Sequence, residues 1–235
     1  MNEHSSKQFD EELDAIRAHV TRMGGLVEEQ VRSALKAFVS RDRDLIEQVV
    51  ARDQHVDELE VIIDDACTHI IAKRQPTAID LRLVMSVGKV VTDLERIGDE
   101  AKKIAKTTRE ILDRSMAEHL TQTLEVQHTG DLAAHMLHDV LDAFVRLDTE
   151  SATEIIRRDK EIGQHFRAIM RQLVTYMMED PRTISTALDV IFIAKSVERI
   201  GDHAKNVAKD VIYIAKGRDV RHLGLDAIER EVSGL

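Results

Sequence analysis

The sequence contains few residues that interrupt helices or cross-link chains. Its 235 residues include two prolines, ten glycines, one cysteine and no tryptophan, and aromatic residues make up 3%. The scarcity of proline and glycine favours long helices. The single cysteine, Cys67, excludes an intrachain disulfide and fits a reducing compartment. With so few aromatic residues, the core must be built mainly from aliphatic side chains.

Charge and hydropathy argue against two further classes of protein. The formal net charge is −10, whereas general nucleic-acid binders neutralise phosphates with a basic face. No uncharged apolar run approaches the roughly 18 residues of a membrane span. The N-terminal sequence MNEHSSKQFDEEL lacks the basic start and apolar stretch of a signal peptide. We therefore predict a cytoplasmic protein that binds no nucleic acid and does not insert directly into a membrane.

Apolar residues recur at intervals of three and four, which is typical of amphipathic helices. The first stripe runs from Phe9 to Phe38, the second lies between Asp42 and Pro76, and the third ends near Ile111. Asp42 is a candidate N-cap, and Pro76 disfavours a helical residue before it. Three long helices with short connections predict an up-down-up bundle.

Two adjacent glycines, Gly24 and Gly25, stand in the middle of the first predicted helix. Each costs a helix about 1 kcal/mol relative to alanine. We interpret them as a place of close helix packing or a bend. Gly217, near the end of the last long helical pattern, is a candidate C-cap.

The second half of the chain repeats the first. LERIGDEAKKIAK at 94–106 and VERIGDHAKNVAK at 197–209 are identical at nine of thirteen positions, at an offset of 103 residues. LKAFV at 35–39 likewise corresponds to LDAFV at 141–145. An internal repeat indicates a duplicated structural unit. We predict an all-α fold of two tandem pseudo-symmetric three-helix bundles, at 8–113 and 124–217, with a linker at 114–123 and a charged tail at 218–235.

The repeated motif places carboxylates together in the first half. Glu95 and Asp99 are four residues apart on one helix, as are Asp53 and Asp57 on the preceding helix. Their helical-wheel positions lie away from the apolar stripes, so we predict them outside the core. In a hairpin turning at Pro76, Asp57 lies level with Glu95, and Asp53 with Asp99. Clustered carboxylates repel unless a cation lies among them, and they suit hard divalent or trivalent cations or iron.

The second half carries an altered version of this arrangement. Asp159 and Asp202 are level across the predicted turn at 180–181, but Gly163 stands where the first half has Asp57. A second metal site would be weaker, differently built, or assisted by His203. The alternative for both halves is that the acids form ordinary surface salt bridges, with Lys103 and Lys205 within helical reach of Asp99 and Asp202. Arg96 and Arg199 would then be bundle salt bridges rather than clamps on the carboxylates.

These motifs resemble the PhoU family of phosphate-uptake regulators. The resemblance covers about Phe9 to His222 and rests on the two ERIGD motifs, RQPTAIDLRLVMSVGKVVTDLERIGDEA, VTYMMEDPRTI and VIYIAKGRDVRH. It implies acidic motif pairs that hold multinuclear iron or zinc at surface carboxylates. The metal residues that it implies are Asp53, Asp57, Glu95, Asp99, Asp159, Glu198 and Asp202.

The resemblance also implies a function without catalysis. Members act as adaptors between a phosphate ABC transporter, including its ATPase, and a membrane sensor histidine kinase. When phosphate is plentiful they keep the starvation response off and restrain uptake, and they are often homodimers. Two alternatives remain: an enzyme that uses metal-bound carboxylates, and a plain helical scaffold. Glu125 and His128 match the E-x-x-H of di-iron bundles, but the sequence has no second such motif.

Overall fold

The computed structural model describes residues 3–114 and 123–233, which form seven α-helices and one 3-10 turn, Pro181–Thr183. The all-α prediction is confirmed. The predicted linker lies almost entirely outside the described residues. The helices are α1 Glu3–Ser40, α2 Arg43–Arg74, α3 Ala78–Asp113, α4 Thr123–Arg146, α5 Thr149–Glu179, α6 Ile184–Lys216 and α7 Leu225–Ser233.

The helix ends follow local signals in the sequence. The Asp42 carboxylate accepts a hydrogen bond from the Leu45 backbone N–H at 3.1 Å and caps α2. Gln75 ends that helix with a left-handed backbone, immediately before Pro76. Gly217, with φ of 73°, ends α6, and glycine adopts this conformation without steric cost. The predictions at Asp42, Pro76 and Gly217 are confirmed.

The two halves share one hydrophobic core. Helices α1–α3 pack together, as do α4–α6, and α3 also packs against α6 and α1 against α4. Buried aliphatic side chains from all six long helices form a single cluster. The two bundles are therefore joined along their length, which the periodicity of separate helices did not reveal. No helix within the described residues is long and apolar enough to cross a membrane.

Two glycines related by the repeat allow α1 and α4 to approach closely. A Cβ added at Gly24 would lie 2.9 Å from Leu141 Cδ1, and one added at Gly130 would lie 2.7 Å from Leu35 Cδ1. Gly25, by contrast, has open space where a Cβ would stand. Close packing is therefore the role of Gly24, but not of its neighbour.

Polar contacts also join α3 to α6. The buried carboxylate of Glu100 accepts hydrogen bonds from Arg199 at 3.2 Å and from Lys103 at 2.8 Å. His203 Nδ1 lies 2.7 Å from Asp93 Oδ1. Burial works to raise the pKa of Glu100, but its hydrogen bonds to Lys103, Ser196 and Arg199 outweigh burial and lower it. Arg199 and Lys103 are therefore both engaged by Glu100 at the seam, the contact surface between α3 and α6.

Candidate functional site

A run of carboxylates lies between α2 and α3, with all members at least partly exposed except the buried Asp53, and we call it the acidic groove. A turn at Pro76 predicts which residues of α2 and α3 lie at the same height, and close approaches between the two helices agree with that register. A Cβ added at Gly98 would lie 3.8 Å from Asp53 Oδ1, and one added at Gly88 would lie 3.9 Å from Asp64 Oδ1. The members of the acidic groove are Asp53, Asp57, Glu60, Asp64, Glu95 and Asp99.

Glu60 and Asp64 were missed by the sequence reasoning. They extend the pair at Asp53 and Asp57 along the same face of α2, at spacings of three and four. That continued spacing was the signal that could have identified them. Neither residue belongs to the repeated ERIGD motif or to the Asp53/Asp57 pair, so the repeat does not point to them.

The prediction that Asp53 lies outside the core is wrong. Its exposed fraction is 4%, because α1 covers it. Gln30 of α1 donates a hydrogen bond from Nε2 to Asp53 Oδ1 at 3.1 Å, and Lys102 of α3 pairs with Oδ2. The hydrogen bond to Asp53 raises the pKa of Lys102. A helical wheel of α2 alone carries no information about this third helix.

The remaining acids of the groove lack a matching number of cations. Burial, followed by the charge of Asp53, raises the pKa of Asp57. Burial and the charge of Asp99 raise the pKa of Glu95. Arg96 is one nearby cation, with Nε 3.4 Å from Glu95 and Nη1 3.7 Å from Asp99, and the charge of Lys102 also acts on Asp57. Burial is the larger cause of these raised carboxyl pKa values, and the neighbouring carboxylates add to it because the negative charge of the groove is only partly compensated.

The equivalent surface between α5 and α6 is neutralised by lysine, and we call it the lysine groove. Lys205 Nζ donates to Asp159 Oδ2 and to Asp202 Oδ1, both at 2.7 Å. Lys195 pairs with Glu198. Burial works to lower the pKa of Lys205, but the hydrogen bonds to the two aspartates outweigh it and the pKa is raised. In this half, each carboxylate of the family pattern thus pairs with a lysine of the same chain.

Gly163 leaves the lysine groove open. A depression of about 350 Å³ lies over Gly163 and is also lined by Asp159, Glu198, Asp202 and neighbouring residues of α5. A Cβ at Gly163 would lie 3.5 Å from Arg167 Nη1, so a further cation borders the space. His203, which was considered as a helper ligand, pairs instead with Asp93 across the seam.

The two grooves differ in their fit to a hard cation. The acidic groove fits by the chemistry of its donors, because carboxylate oxygens suit a hard cation and a cation would offset the repulsion among neighbouring acids. That repulsion adds to burial, which is the larger cause of the raised pKa values of Asp57 and Glu95. The lysine groove does not fit, because Lys205 already lies between its two aspartates. Among residues 3–114 and 123–233, no three His, Cys, Asp or Glu side chains converge as a metal site requires. Binding in the acidic groove therefore requires its side chains to turn towards a common point.

His128 of the E-x-x-H motif and His138, a second histidine of α4, make other contacts. His128 packs edge to face against His165, with ring centroids 5.4 Å apart. His138 Nδ1 lies 3.2 Å from Glu28 Oε2. These histidines take part in contacts between helices, and neither is joined to the two grooves.

The fold and the grooves define a class: a protein of two tandem helical bundles fused through one core, with a carboxylate-bearing groove on each half. A family model described as the PhoU domain matches residues 20–108 and again 126–211. The chain belongs to the PhoU family. The two matches coincide with the two halves of the internal repeat.

Named relatives match along nearly the whole chain. The phosphate-specific transport system accessory protein PhoU of Escherichia coli K12 is 46% identical over 234 residues, covering 100% of this chain and 96% of that protein. The crystal structure of PhoU from Pseudomonas aeruginosa has a TM-score of 0.86 at 44% identity, covering 89% of this chain and 100% of that one. The phosphate transport system regulatory protein PhoU from Streptococcus pneumoniae has a TM-score of 0.80 at 27% identity, covering 90% and 99%.

Proposed function

We propose that this chain is a cytoplasmic, non-enzymatic negative regulator of phosphate uptake and of the phosphate-starvation response. It acts as an adaptor between a phosphate ABC transporter, through the transporter's ATPase, and a phosphate sensor histidine kinase. It works as a homodimer and reaches the membrane through these partners. A role in a phosphate transport system rests on its relatives, which carry the name phosphate-specific transport system accessory protein.

The observation that carries this proposal is full-length similarity combined with a surface suited to contact. The relative named as an accessory protein matches 100% of this chain. The helices share one core, so the grooves are held on a rigid frame. A net charge of −10 favours protein partners with basic surfaces over anionic lipid.

The deciding experiment is a phosphate-response reporter in a strain that lacks this chain. We expect the reporter to be derepressed at high phosphate and to be silenced again by the wild-type gene. Asp99→Ala and Asp202→Ala, tested in parallel, separate the two grooves, and Asp226→Ala on α7 is the matched surface control. A deletion strain that keeps the reporter silent at high phosphate contradicts the regulatory role.

The adaptor role is tested separately by co-purification. Full-length chain is captured from membranes of cells grown at high and at low phosphate, and the transporter ATPase and the kinase are assayed in the eluate. Loss of both partners under both conditions excludes the adaptor role. Sedimentation equilibrium of the purified chain tests the homodimer, and a monomer mass at micromolar concentration contradicts it.

We propose further that the acidic groove holds iron or zinc through Asp57, Glu95 and Asp99. Bound there, the metal supplies positive charge to carboxylates that otherwise repel one another. Asp53 is held by Gln30 and Lys102, so its role is to support the groove from beneath. The family pattern at Asp159, Glu198 and Asp202 is not carried forward as a metal site, since Lys205 and Lys195 compensate these carboxylates.

Elemental analysis of protein purified without chelator tests this assignment. We expect bound metal in the wild type, its loss in Asp99→Asn, and its retention in Asp202→Asn, the equivalent substitution in the lysine groove. Equal loss in the two variants contradicts the assignment to one groove. Protein that carries no iron or zinc favours a plain helical scaffold, and turnover that depends on both Glu95 and metal favours an enzyme.

A further inference from the structure

The outer surface of α5 differs in chemistry from the equivalent surface of α2. The internal repeat relates the two helices by an offset of 106 residues, so each position on one has a counterpart on the other. At three exposed positions, polar residues of α2 are replaced by apolar or basic residues of α5. The replacements are Asp64 by Met170, Asp65 by Arg171 and Thr68 by Val174.

We call the surface formed by Arg167, Met170, Arg171, Val174 and Thr175 the α5 face. These residues line a shallow depression of about 450 Å³. Met170 is 40% exposed and Val174 is 43% exposed. The fold does not require apolar residues at 170 and 174, because Asp64 and Thr68 occupy the equivalent positions of α2. Exposed apolar surface that folding does not use is a mark of an interaction site.

Exposed apolar residues continue around the tip of the hairpin. Met178 at the end of α5 is 80% exposed, and Ile184 and Leu188 in the first turns of α6 are 41% and 43% exposed. At a rise of 1.5 Å per residue, the stretch from Phe166 to Met178 is about 18 Å long, or about three helical turns. That length suits a short helix laid against the surface.

The charges on the α5 face indicate what it binds. Among residues 3–114 and 123–233, neither Arg167 nor Arg171 forms an ion pair with a carboxylate, although Arg167 also borders the lysine groove. The net charge of the chain is −10. Two arginines without an ion pair beside an apolar stripe complement an occupant that carries apolar side chains and carboxylates. A second copy docked through the same face would bring arginine against arginine. An anionic membrane would be repelled by the net charge of the whole chain.

We propose that the α5 face is a docking surface for an amphipathic helix of another protein, whose apolar stripe is flanked by Asp or Glu. Met170 and Val174 receive the apolar stripe, and Arg167 and Arg171 pair with the flanking carboxylates. This is the mode in which a helix lays its apolar side in a groove, with anchors three and four residues apart. The inference does not depend on the regulatory role proposed above, since it concerns contact at one surface.

Site-specific photo-crosslinking of the full-length chain in cells tests this proposal. The crosslinking residue is placed at Thr175 on the α5 face, and at His69, the equivalent exposed position of α2, as the matched control. We expect at least about tenfold more adduct at Thr175 than at His69. Mass spectrometry should map the adduct to an amphipathic helix of a different protein with acidic flanks.

Charge reversal of the two arginines provides the second measurement. Arg167→Glu with Arg171→Glu should lower the adduct yield at Thr175 at least about tenfold, whereas Arg167→Lys with Arg171→Lys should retain most of it. Circular dichroism melts confirm that the variants remain folded, since both side chains are exposed. The proposal is overturned if adduct yields at Thr175 and His69 are equal, or if the adduct forms with lipid or with a second copy. It is also overturned if the mapped segment lacks acidic flanks or if charge reversal leaves the yield unchanged. The phosphate-response reporter is read independently, so failure of one proposal is distinguished from failure of the other.

Discussion

Replacing Gly25 by alanine should stabilise the protein, whereas replacing the adjacent Gly24 by alanine should not. Both glycines lie inside α1 and are adjacent in the sequence. A Cβ at Gly24 would lie 2.9 Å from Leu141 Cδ1 on α4, whereas a Cβ at Gly25 would meet nothing within 4 Å. The same substitution is therefore crowded at one position and free at the next.

The magnitudes follow from two opposing effects. Alanine in a helix interior gains about 1 kcal/mol over glycine at both positions. At Gly24, overpacking costs about 1–3 kcal/mol, because Leu141 must move away from its present rotamer or the helices must separate. We expect Gly25→Ala to stabilise the protein by about 0.5–1 kcal/mol. Gly24→Ala should be neutral or destabilising by up to about 2 kcal/mol, and the difference between the two variants isolates the steric cost.

Urea unfolding followed by circular dichroism gives the two free energies of unfolding. A third variant, Leu141→Ala, removes the crowding side chain, and Gly24→Ala added to it should now stabilise by about 1 kcal/mol. If Gly24→Ala and Gly25→Ala stabilise equally in the wild-type background, α1 and α4 do not pack closely at this point, and the reasoning is refuted.

Three further predictions concern charged residues. Burial raises the pKa of Asp210 to about 6. The folded state therefore binds more protons than the unfolded state between about pH 4 and 6. The free energy of unfolding should fall by about 3 kcal/mol as pH rises through that window. Asp210→Asn should flatten this slope in urea titrations at pH 4 and pH 7, and an unchanged slope would assign it to other groups. Lys205→Met leaves Asp159 and Asp202 without their shared cation and should lower the free energy of unfolding at pH 7 by about 1–3 kcal/mol. The loss should be smaller at pH 4, where the aspartates are partly protonated. An equal loss at both pH values contradicts the electrostatic cause. Asp42→Ala should cost about 1 kcal/mol through loss of the α2 cap, whereas Asp42→Asn should retain most of the stability by thermal melting, and equal losses would exclude a capping role.

The sequence by itself determined the helices and their duplication. Helix periodicity, the N-cap at Asp42 and the breaks at Pro76 and Gly217 act within a few residues, so they are readable without knowledge of the fold. The repeat of ERIGD fixed two equivalent halves. The hairpin register also followed, because a short turn at Pro76 leaves little freedom in which residues of α2 and α3 lie level.

Only the tertiary structure decided which acids are buried and which are compensated. Asp53 is covered by Gln30 from α1, and Lys205 takes the place between Asp159 and Asp202 that the sequence reasoning left for a metal. The difference between the acidic groove and the lysine groove depends on where long lysine side chains reach across neighbouring helices. A helical wheel places residues on one helix, whereas burial and charge pairing depend on all the helices that meet around a site. The shared core of the two bundles could not be predicted for the same reason. Gly24 packs near Leu141 and Gly130 near Leu35, and the residues of each pair lie roughly a hundred positions apart in the sequence.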